Sequence, residues 1–369
     1  MKRTVLLLAV GVLFVGVVSR VADAGSGLTR VTQLVPAHLQ HIVIAYTDWE
    51  AIKAAIGAPW LTSQASVDVR IAFARRLMED HAAASAYGLT RLSVHAAAWG
   101  FDTTDLEWEA QITATGTPPT YLLKLRDGFD LETLVDRFIE RGFTQTESYG
   151  AAVFSRAFDP TEDWTSTTEI AIHNTAILED EKLLILSSSF AAVDLLLATR
   201  AGELPSFYDD ASAARTVERL AEPFAAYLLL GESTCLRFSP NPLLDLIGTP
   251  VGNSALDDLR AWLDSGEPLH RYVALGVGYR VEQDHPVGTI AFAYASAEDA
   301  EHDLEPRRLL AGSGGSSHWE APIAETYFVI ENAQVDESAI ILSVRPANDQ
   351  PRRLFLMVLY ADAPFAACR

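Results

Sequence analysis

The same order of predicted secondary-structure elements occurs twice along the chain. Residues 106–200 predict two strands, a helix, further strands and a closing helix, and residues 271–365 predict the same series with one strand fewer. The similar runs Leu183–Ser187 and Ala339–Ser343 occupy matching places. The sequence therefore predicts an α+β fold of two similar β-β-α-β-β-α units, with antiparallel sheets packed by helices. Internal duplication explains this order, and two unrelated α+β stretches are the alternative.

Local signals predict where individual elements begin and end. A helix follows Asp130, a plausible N-cap, and Asp48 caps a second helix after a short strand at Ile42–Tyr46. Ser296 caps a third helix, over Ala297–Leu310. Further predicted elements are strands at Glu169–Leu178, Ala226–Leu230 and Ile323–Glu331, short helices near Pro242–Ile247 and Ser254–Leu263, and a last apolar element at Arg352–Tyr360.

The N-terminus has the pattern of a secretory signal peptide. Lys2 and Arg3 precede an unbroken apolar run from Val5 to Val18, and Ala22-Asp23-Ala24 forms a small-x-small cleavage site before Gly25. The run is short for a membrane span, which needs about 20 apolar residues. We therefore expect cleavage after residue 24 and an extracellular or cell-envelope location. Retention of residues 5–18 as a membrane anchor is the alternative.

A stretch rich in proline and glycine between the two units predicts the division into domains. Pro240, Pro242, Pro250 and Gly252 interrupt the chain between the two units. The predicted divisions are a signal peptide at 1–24, a first α+β domain with an N-terminal helical extension at 25–240, a helical connector at 241–270 and a second α+β domain at 271–369.

The chain contains only two cysteines, Cys235 and Cys368. In an exported protein, two cysteines without a third indicate one disulfide. The bond would fasten the C-terminal end, which would otherwise fray. Two separate buried thiols are the alternative.

The charge balance excludes some partners. The chain carries 28 basic and 49 acidic residues, a formal net charge of −21. Residues 1–24 contain three of the basic residues and one acidic residue, so the mature chain is more acidic, at −23. Such a surface disfavours nucleic acid and repels anionic lipid. The expected partner is an unknown protein or small ligand, and a membrane only if the N-terminal apolar segment is retained.

No stretch of the sequence matches a specific cofactor-binding or metal-binding motif. The Gly/Ser stretch at 312–317 lacks the Lys-Ser/Thr pair of a phosphate loop and predicts a flexible loop, and Gly276 and Gly278 within a strand predict a bulge or close packing. The acidic run with His302 at the start of a helix predicts a solvated helix end rather than a cation site, because a helix spreads its side chains around its axis. His38 and His41 share a helical spacing but lack a third zinc ligand. We therefore predict no cofactor and no metal. The acidic run consists of Glu298, Asp299, Glu301, Asp303 and Glu305.

The sequence also contains no specific catalytic motif. The chain has no GxSxG elbow and no SxxK pair, although a Ser-His-Asp triad need not be local in sequence. Asp102, Asp105 and Glu107 predict a loop with an Asx turn. Aromatic residues near Pro and Gly predict small-core anchors rather than a sugar platform: Trp60, Trp99, Trp164, Trp262 and Trp319.

The paired units resemble uncharacterised exported bacterial proteins built from α+β repeats after a signal peptide. The resemblance rests on Gly128-Phe129-Asp130 before a helix, Arg141-Gly142-Phe143 after it, Tyr149-Gly150 and the run Leu183–Ser188. It covers about 106–200, with a weaker echo in 271–345, and implies no active residues.

These features together predict an exported, non-enzymatic binding or scaffold protein of the envelope or the extracellular space. One alternative is a secreted hydrolase with a dispersed Ser/His/Asp or carboxylate site. Another is an N-terminally anchored partner of an envelope complex.

Overall fold

The computed structural model describes residues 26–157, 170–231, 234–238, 269–316, 318–319 and 321–368. The predicted signal peptide and both predicted connector helices lie outside these residues. The described strands are β1 (Ile42–Asp48), β2 (Leu106–Ala114), β3 (Thr117–Leu125), β4 (Thr144–Ser148), β5 (Ala151–Ser155), β6 (Asn174–Leu178), β7 (Leu183–Ser187), β8 (Ala225–Leu230), β9 (Ala274–Glu282), β10 (His285–Ala293), β11 (Gly315–Ser316), β12 (Ala321–Pro322), β13 (Phe328–Asp336) and β14 (Ala339–Pro346).

Helices connect and cover these strands. They are α1 (Gly27–Leu34), α2 (Trp49–Ala55), α3 (Val67–Asp80), α4 (Leu92–Trp99), α5 (Leu131–Glu140), α6 (Phe190–Arg200), α7 (Ala211–Leu220), α8 (Ala297–Ser313), α9 (Ile323–Thr326) and α10 (Arg352–Leu359). The three predicted N-caps are confirmed. Asp48 accepts from the amide of Ala51 at 2.8 Å, Asp130 from that of Glu132 at 3.0 Å, and Ser296 from that of Asp299 at 3.1 Å.

One antiparallel sheet joins both halves of the described chain. Its order is β13-β14-β10-β9-β8-β1-β2-β3-β7-β6-β5-β4. Each half begins with three consecutive antiparallel strands, which are β1 to β3 in the first half and β8 to β10 in the second. A helix then crosses over, and the last strand of each half pairs with the third, β7 with β3 and β14 with β10. The prediction of an α+β fold with antiparallel strands packed by helices is therefore confirmed. The strands of both predicted units lie in this one twelve-stranded sheet, and β11 and β12 form a separate two-stranded sheet. The halves merge because β1 pairs with β8, from Ile42 opposite Leu230 to Thr47 opposite Ala225. Duplication and the domain division stay predictions.

Helices cover both faces of the sheet, so its central strands are apolar on both sides. In β8, Leu228 packs with α1, α6 and α7 on one face, whereas Tyr227 and Leu229 pack in the core beside α8 and α10 on the other. This alternation follows from the two-residue repeat of a strand. The far half of that second face is covered by α2 to α5, where Phe73 and Phe138 are buried.

Close helix packing explains the two glycines of β9. A Cβ atom at Gly276 would lie 2.8 Å from the side chain of Thr216 on α7, and one at Gly278 would lie 3.2 Å from Pro223. The prediction of close packing at these positions is confirmed, since any larger residue at Gly276 would push α7 off the sheet.

Two predicted strands begin later than expected. Ile323–Thr326 forms the single helical turn α9, closed by the amide of Tyr327 on the carbonyl of Ile323 at 2.8 Å, and β13 starts only at Phe328. The strand expected from Glu169 begins at Asn174, because the carbonyls of Ile170 and Ile172 bond locally to the His173 amide and the Thr175 hydroxyl. Short apolar runs do not distinguish a helical turn from a strand.

Three other local features differ from prediction. β4 (Thr-Gln-Thr-Glu-Ser) has no apolar alternation because it is an exposed edge strand. The Gly/Ser stretch is not a loop throughout: Gly312 and Ser313 finish α8, and Gly315–Ser316 pairs with β12. His38 and His41 do not share a helical face, because α1 ends at Leu34 and His41 has a left-handed backbone, with φ of 50°.

Candidate functional site

Asp303 is a completely buried carboxylate on α8, and its Oδ2 atom is held by three donors. The amide of His270 donates to Oδ2 at 2.9 Å, and the Tyr294 hydroxyl and the Arg307 Nη2 donate to it, each at 3.2 Å. Arg307 lies one helical turn beyond Asp303 and is equally buried. Three donors on one oxygen fix the orientation of the carboxylate, because each bond constrains a different direction.

The other carboxylate oxygen of Asp303 faces two histidines. The distance from Oδ1 to His270 Nδ1 is 2.9 Å, and that to His302 Nδ1 is 3.1 Å. The two imidazole rings meet edge to face, with centroids 4.7 Å apart. The side chains of His270 and His302 are 37% and 39% exposed. We name His270, His302 and Asp303 the His–Asp cluster; it combines a fixed, buried carboxylate oxygen with two partly exposed imidazoles.

Arg307 connects the His–Asp cluster to the C-terminal tail, Ala363–Cys368. Its guanidinium donates to the carbonyls of Phe365 at 2.6 Å, Ala367 at 3.1 Å and His270 at 2.9 Å. It also lies over the rings of Tyr272 and Phe292, 5.1 Å and 5.0 Å from their centroids. A buried guanidinium requires such partners, and here they are the backbone carbonyls of two separate segments.

The tail has two further attachments. Cys235 and Cys368 form a disulfide, with Cα atoms 5.4 Å apart, and both residues are buried. The Tyr272 hydroxyl donates to the Ala366 carbonyl at 2.7 Å, and burial raises the pKa of Tyr272, which therefore stays protonated as a donor. The pairing expected from the sequence is present in the structure.

The predicted Asx turn at Asp102 belongs to a buried charge network. Asp102 Oδ1 accepts from the Thr104 amide at 2.8 Å, and Oδ2 accepts from the guanidinium of Arg70. Burial raises the pKa of Asp102 although these donors act in the opposite direction. Lys53, from α2, donates to the carbonyls of Thr104 and Leu106 at 2.9 Å and 3.1 Å. The network pins the segment before β2 to α2 and α3.

Two further buried carboxylates were not singled out from the sequence. Glu109 in β2 accepts from the amide of Tyr87 at 2.7 Å and from the indole of Trp49 at 2.9 Å, and its burial raises its pKa. Asp362 accepts from the Tyr327 hydroxyl at 2.5 Å and from the hydroxyl of Ser316. The alternation of β2 carried no signal that distinguishes the buried Glu109 from the partly exposed Glu107 two positions earlier.

The acidic run of α8 and the described tryptophans lie in different parts of the molecule. Within the acidic run, Asp303 points into the core, whereas Glu305 pairs with Arg308 at the surface. Trp99 is buried against Phe138 and Phe143, while Trp60 and Trp319 are 63% and 50% exposed. Trp164 and Trp262 lie outside the described residues.

His95 provides a test of stability against pH. It is buried between the rings of Tyr87 and Phe101, and burial lowers its pKa from about 6.5 to about 4. The folded protein therefore binds this proton less readily than the unfolded chain. Its contribution to stability is complete above pH 6.5 and is lost as the pH falls towards 4, by about 1.4 kcal/mol for each unit.

We expect the ring signals of His95 to shift only near pH 4 in an NMR titration of the folded protein. A midpoint for His95 close to 6.5 in the folded protein would contradict the buried, neutral imidazole.

Comparisons with known proteins give this chain no family and no function. No protein-family model matches the chain, and no curated protein sequence matches it. Two crystal forms of TP0453 have a similar course of the backbone. Form I aligns with 90% of this chain and 97% of that chain, and form III with 89% and 96%, both at 9% identity and a TM-score of 0.37. Likeness at this level supports no inference about activity. Among the described residues, no helix has the length and apolarity needed to span a bilayer.

Proposed function

We propose that this chain is an exported, non-enzymatic binding or scaffold protein of the cell envelope or the extracellular space. The disulfide between Cys235 and Cys368 is the observation that carries the proposal. Disulfides persist in oxidising compartments and are rare where thiols are kept reduced. The signal-peptide pattern of residues 1–24 supports the same location independently.

The buried charges support a structural rather than a catalytic use of the acidic and basic groups. Arg307 holds the carbonyls of the C-terminal tail, and Lys53 holds those of Thr104 and Leu106 at the start of β2. Asp102 accepts from the amide of Thr104 in its own turn, and Glu109 accepts from the amide of Tyr87. These four charged side chains are directed at the polypeptide itself.

N-terminal sequencing tests the export part of this proposal. We expect chain recovered from the extracytoplasmic fraction to begin at Gly25, and an Ala24→Arg variant to remain uncleaved because the small-x-small site is lost. An Ala9→Leu variant, which keeps the apolar run, is the matched control and should be processed normally. A wild-type product beginning at Met1 would refute cleavage, and turnover of acyl or glycosyl substrates by the purified protein would refute the non-enzymatic part.

A further inference from the structure

We propose that the His–Asp cluster binds a divalent transition metal ion, Zn²⁺, through His270 Nδ1, His302 Nδ1 and Asp303 Oδ1. This site goes beyond the proposed function and does not depend on export, because it rests on the folded chain alone. The sequence contains no metal motif here, since the whole of β9 and β10 lies between His270 and the pair His302 and Asp303.

The spacing of the three atoms suits zinc. One ligand atom from each of the three residues lies within 4.8 Å of the others. Asp303 Oδ1 is 2.9 Å from His270 Nδ1 and 3.1 Å from His302 Nδ1. Zinc bonds of about 2.0–2.2 Å in a tetrahedron place neighbouring ligand atoms roughly 3.3 Å apart. The cluster reaches that geometry if the two imidazoles, which are partly exposed, rotate so that their nitrogens approach each other and each moves slightly away from Asp303 Oδ1.

Asp303 is already oriented as a metal ligand. Its Oδ2 is occupied by the His270 amide, Tyr294 and Arg307, so only Oδ1 is presented to the two rings. Ligating carboxylates in metal sites are held in this way by surrounding hydrogen bonds. The charge of Arg307 is itself shared with the carbonyls of Phe365 and Ala367, which reduces its repulsion of a cation.

His270 lies between two carboxylates. Its Nε2 is 3.5 Å from Asp299 Oδ1, while its Nδ1 faces Asp303. A neutral imidazole has one N–H, so a proton on Nε2 directed at Asp299 leaves the Nδ1 lone pair pointing at Asp303 Oδ1. A cation bound by His270 Nδ1 and Asp303 Oδ1 would accept a lone pair from each of these two atoms. Metal-binding histidines usually donate their other ring N–H to a carboxylate, and Asp299 is placed to accept that bond.

The ligand types and the exposure select the kind of metal. Two imidazoles and one carboxylate form a borderline donor set that suits zinc, which lies above Fe²⁺ and Mn²⁺ in the affinity order. The exposed sides of His270 and His302 leave room for water as the fourth ligand. The bound ion would tie α8 to the segment that leads into β9.

Zinc titration of the purified, untagged and EDTA-stripped protein tests the site. We expect one tight Zn²⁺ per chain by calorimetry and elemental analysis. His302→Gln should weaken binding by more than about 100-fold and Asp299→Asn by about 10-fold, because loss of an outer-shell partner alone costs about 10–100-fold. His285→Gln, an exposed histidine on the β9–β10 hairpin, is the matched control and should bind as wild type does.

Thermal unfolding keeps the test independent of folding defects. In EDTA, wild type and His302→Gln should melt at similar temperatures, since His302 is partly exposed. Zinc at about 100 times its dissociation constant should raise the midpoint by about 5 °C for wild type and His285→Gln but not for His302→Gln. Wild type that binds no zinc at micromolar concentrations, or His302→Gln that binds it equally well, would overturn the proposal.

Discussion

Replacement of Arg307 by methionine is expected to lower the free energy of unfolding by about 3–5 kcal/mol, among the largest effects of any single substitution in the chain. The reason is that Arg307 is completely buried and its partners are buried with it. Methionine preserves most of the volume but leaves the Asp303 carboxylate without its cation. It also leaves the carbonyls of Phe365 and Ala367 without their donor.

The neighbouring arginine provides the control. Arg308 follows directly on α8, where it pairs with Glu305 on an exposed face. Arg308→Met should cost less than about 1 kcal/mol, because solvent screens exposed ion pairs. Both variants are compared by urea unfolding in EDTA, so that bound metal does not contribute. Equal losses for Arg307→Met and Arg308→Met would show that the buried network does not hold the tail.

A double substitution separates the two parts of the Arg307 effect. Asp303→Asn in the Arg307→Met background removes the uncompensated charge while keeping an oxygen acceptor at that position. We expect the double variant to lose less stability than the sum of the single losses, because residues in one buried network are coupled. Strict additivity would mean that Asp303 is stabilised by Tyr294 and the His270 amide without Arg307.

The helix caps and the apolar runs were predictable because they depend on neighbouring residues. Asp130 and Ser296 cap helices by bonding to amides two or three positions away, and the alternation of a strand is visible within a few residues. The pairing of β1 with β8 is different. It joins segments about 180 residues apart, and the continuous apolar run of β8 fits any neighbour on either side.

The candidate site was not predictable for a related reason. The sequence of α8 is rich in charge, so its first turns indicate a solvated helix end. Ala300, Asp303, Arg307 and Leu310 nevertheless form the buried face of that helix. Their three- and four-residue spacing was a visible signal, but polar residues at two of these four positions conceal an inward face. His270 joins them only through tertiary structure.

Loss of the Cys235–Cys368 disulfide is expected to have the second large effect. A Cys235→Ala/Cys368→Ala double variant should unfold with about 2–4 kcal/mol less free energy than the oxidised wild type, because the bond closes a loop across 133 positions and restricts the unfolded chain. Alanine at both positions avoids a free thiol, which would complicate refolding. Urea unfolding with and without a phosphine reductant measures the difference.

The reductant supplies the matched control for the disulfide. It should bring wild type to the stability of the double variant and leave that variant unchanged. Identical unfolding midpoints for all samples would contradict a bridge in the folded protein. Because Arg307 and Tyr272 still bind the tail after reduction, we expect amide exchange at Phe365–Ala367 to accelerate strongly only when the bond and Arg307 are both removed. That result would mean that the disulfide and the hydrogen bonds of Arg307 each hold the C-terminal tail when the other is absent.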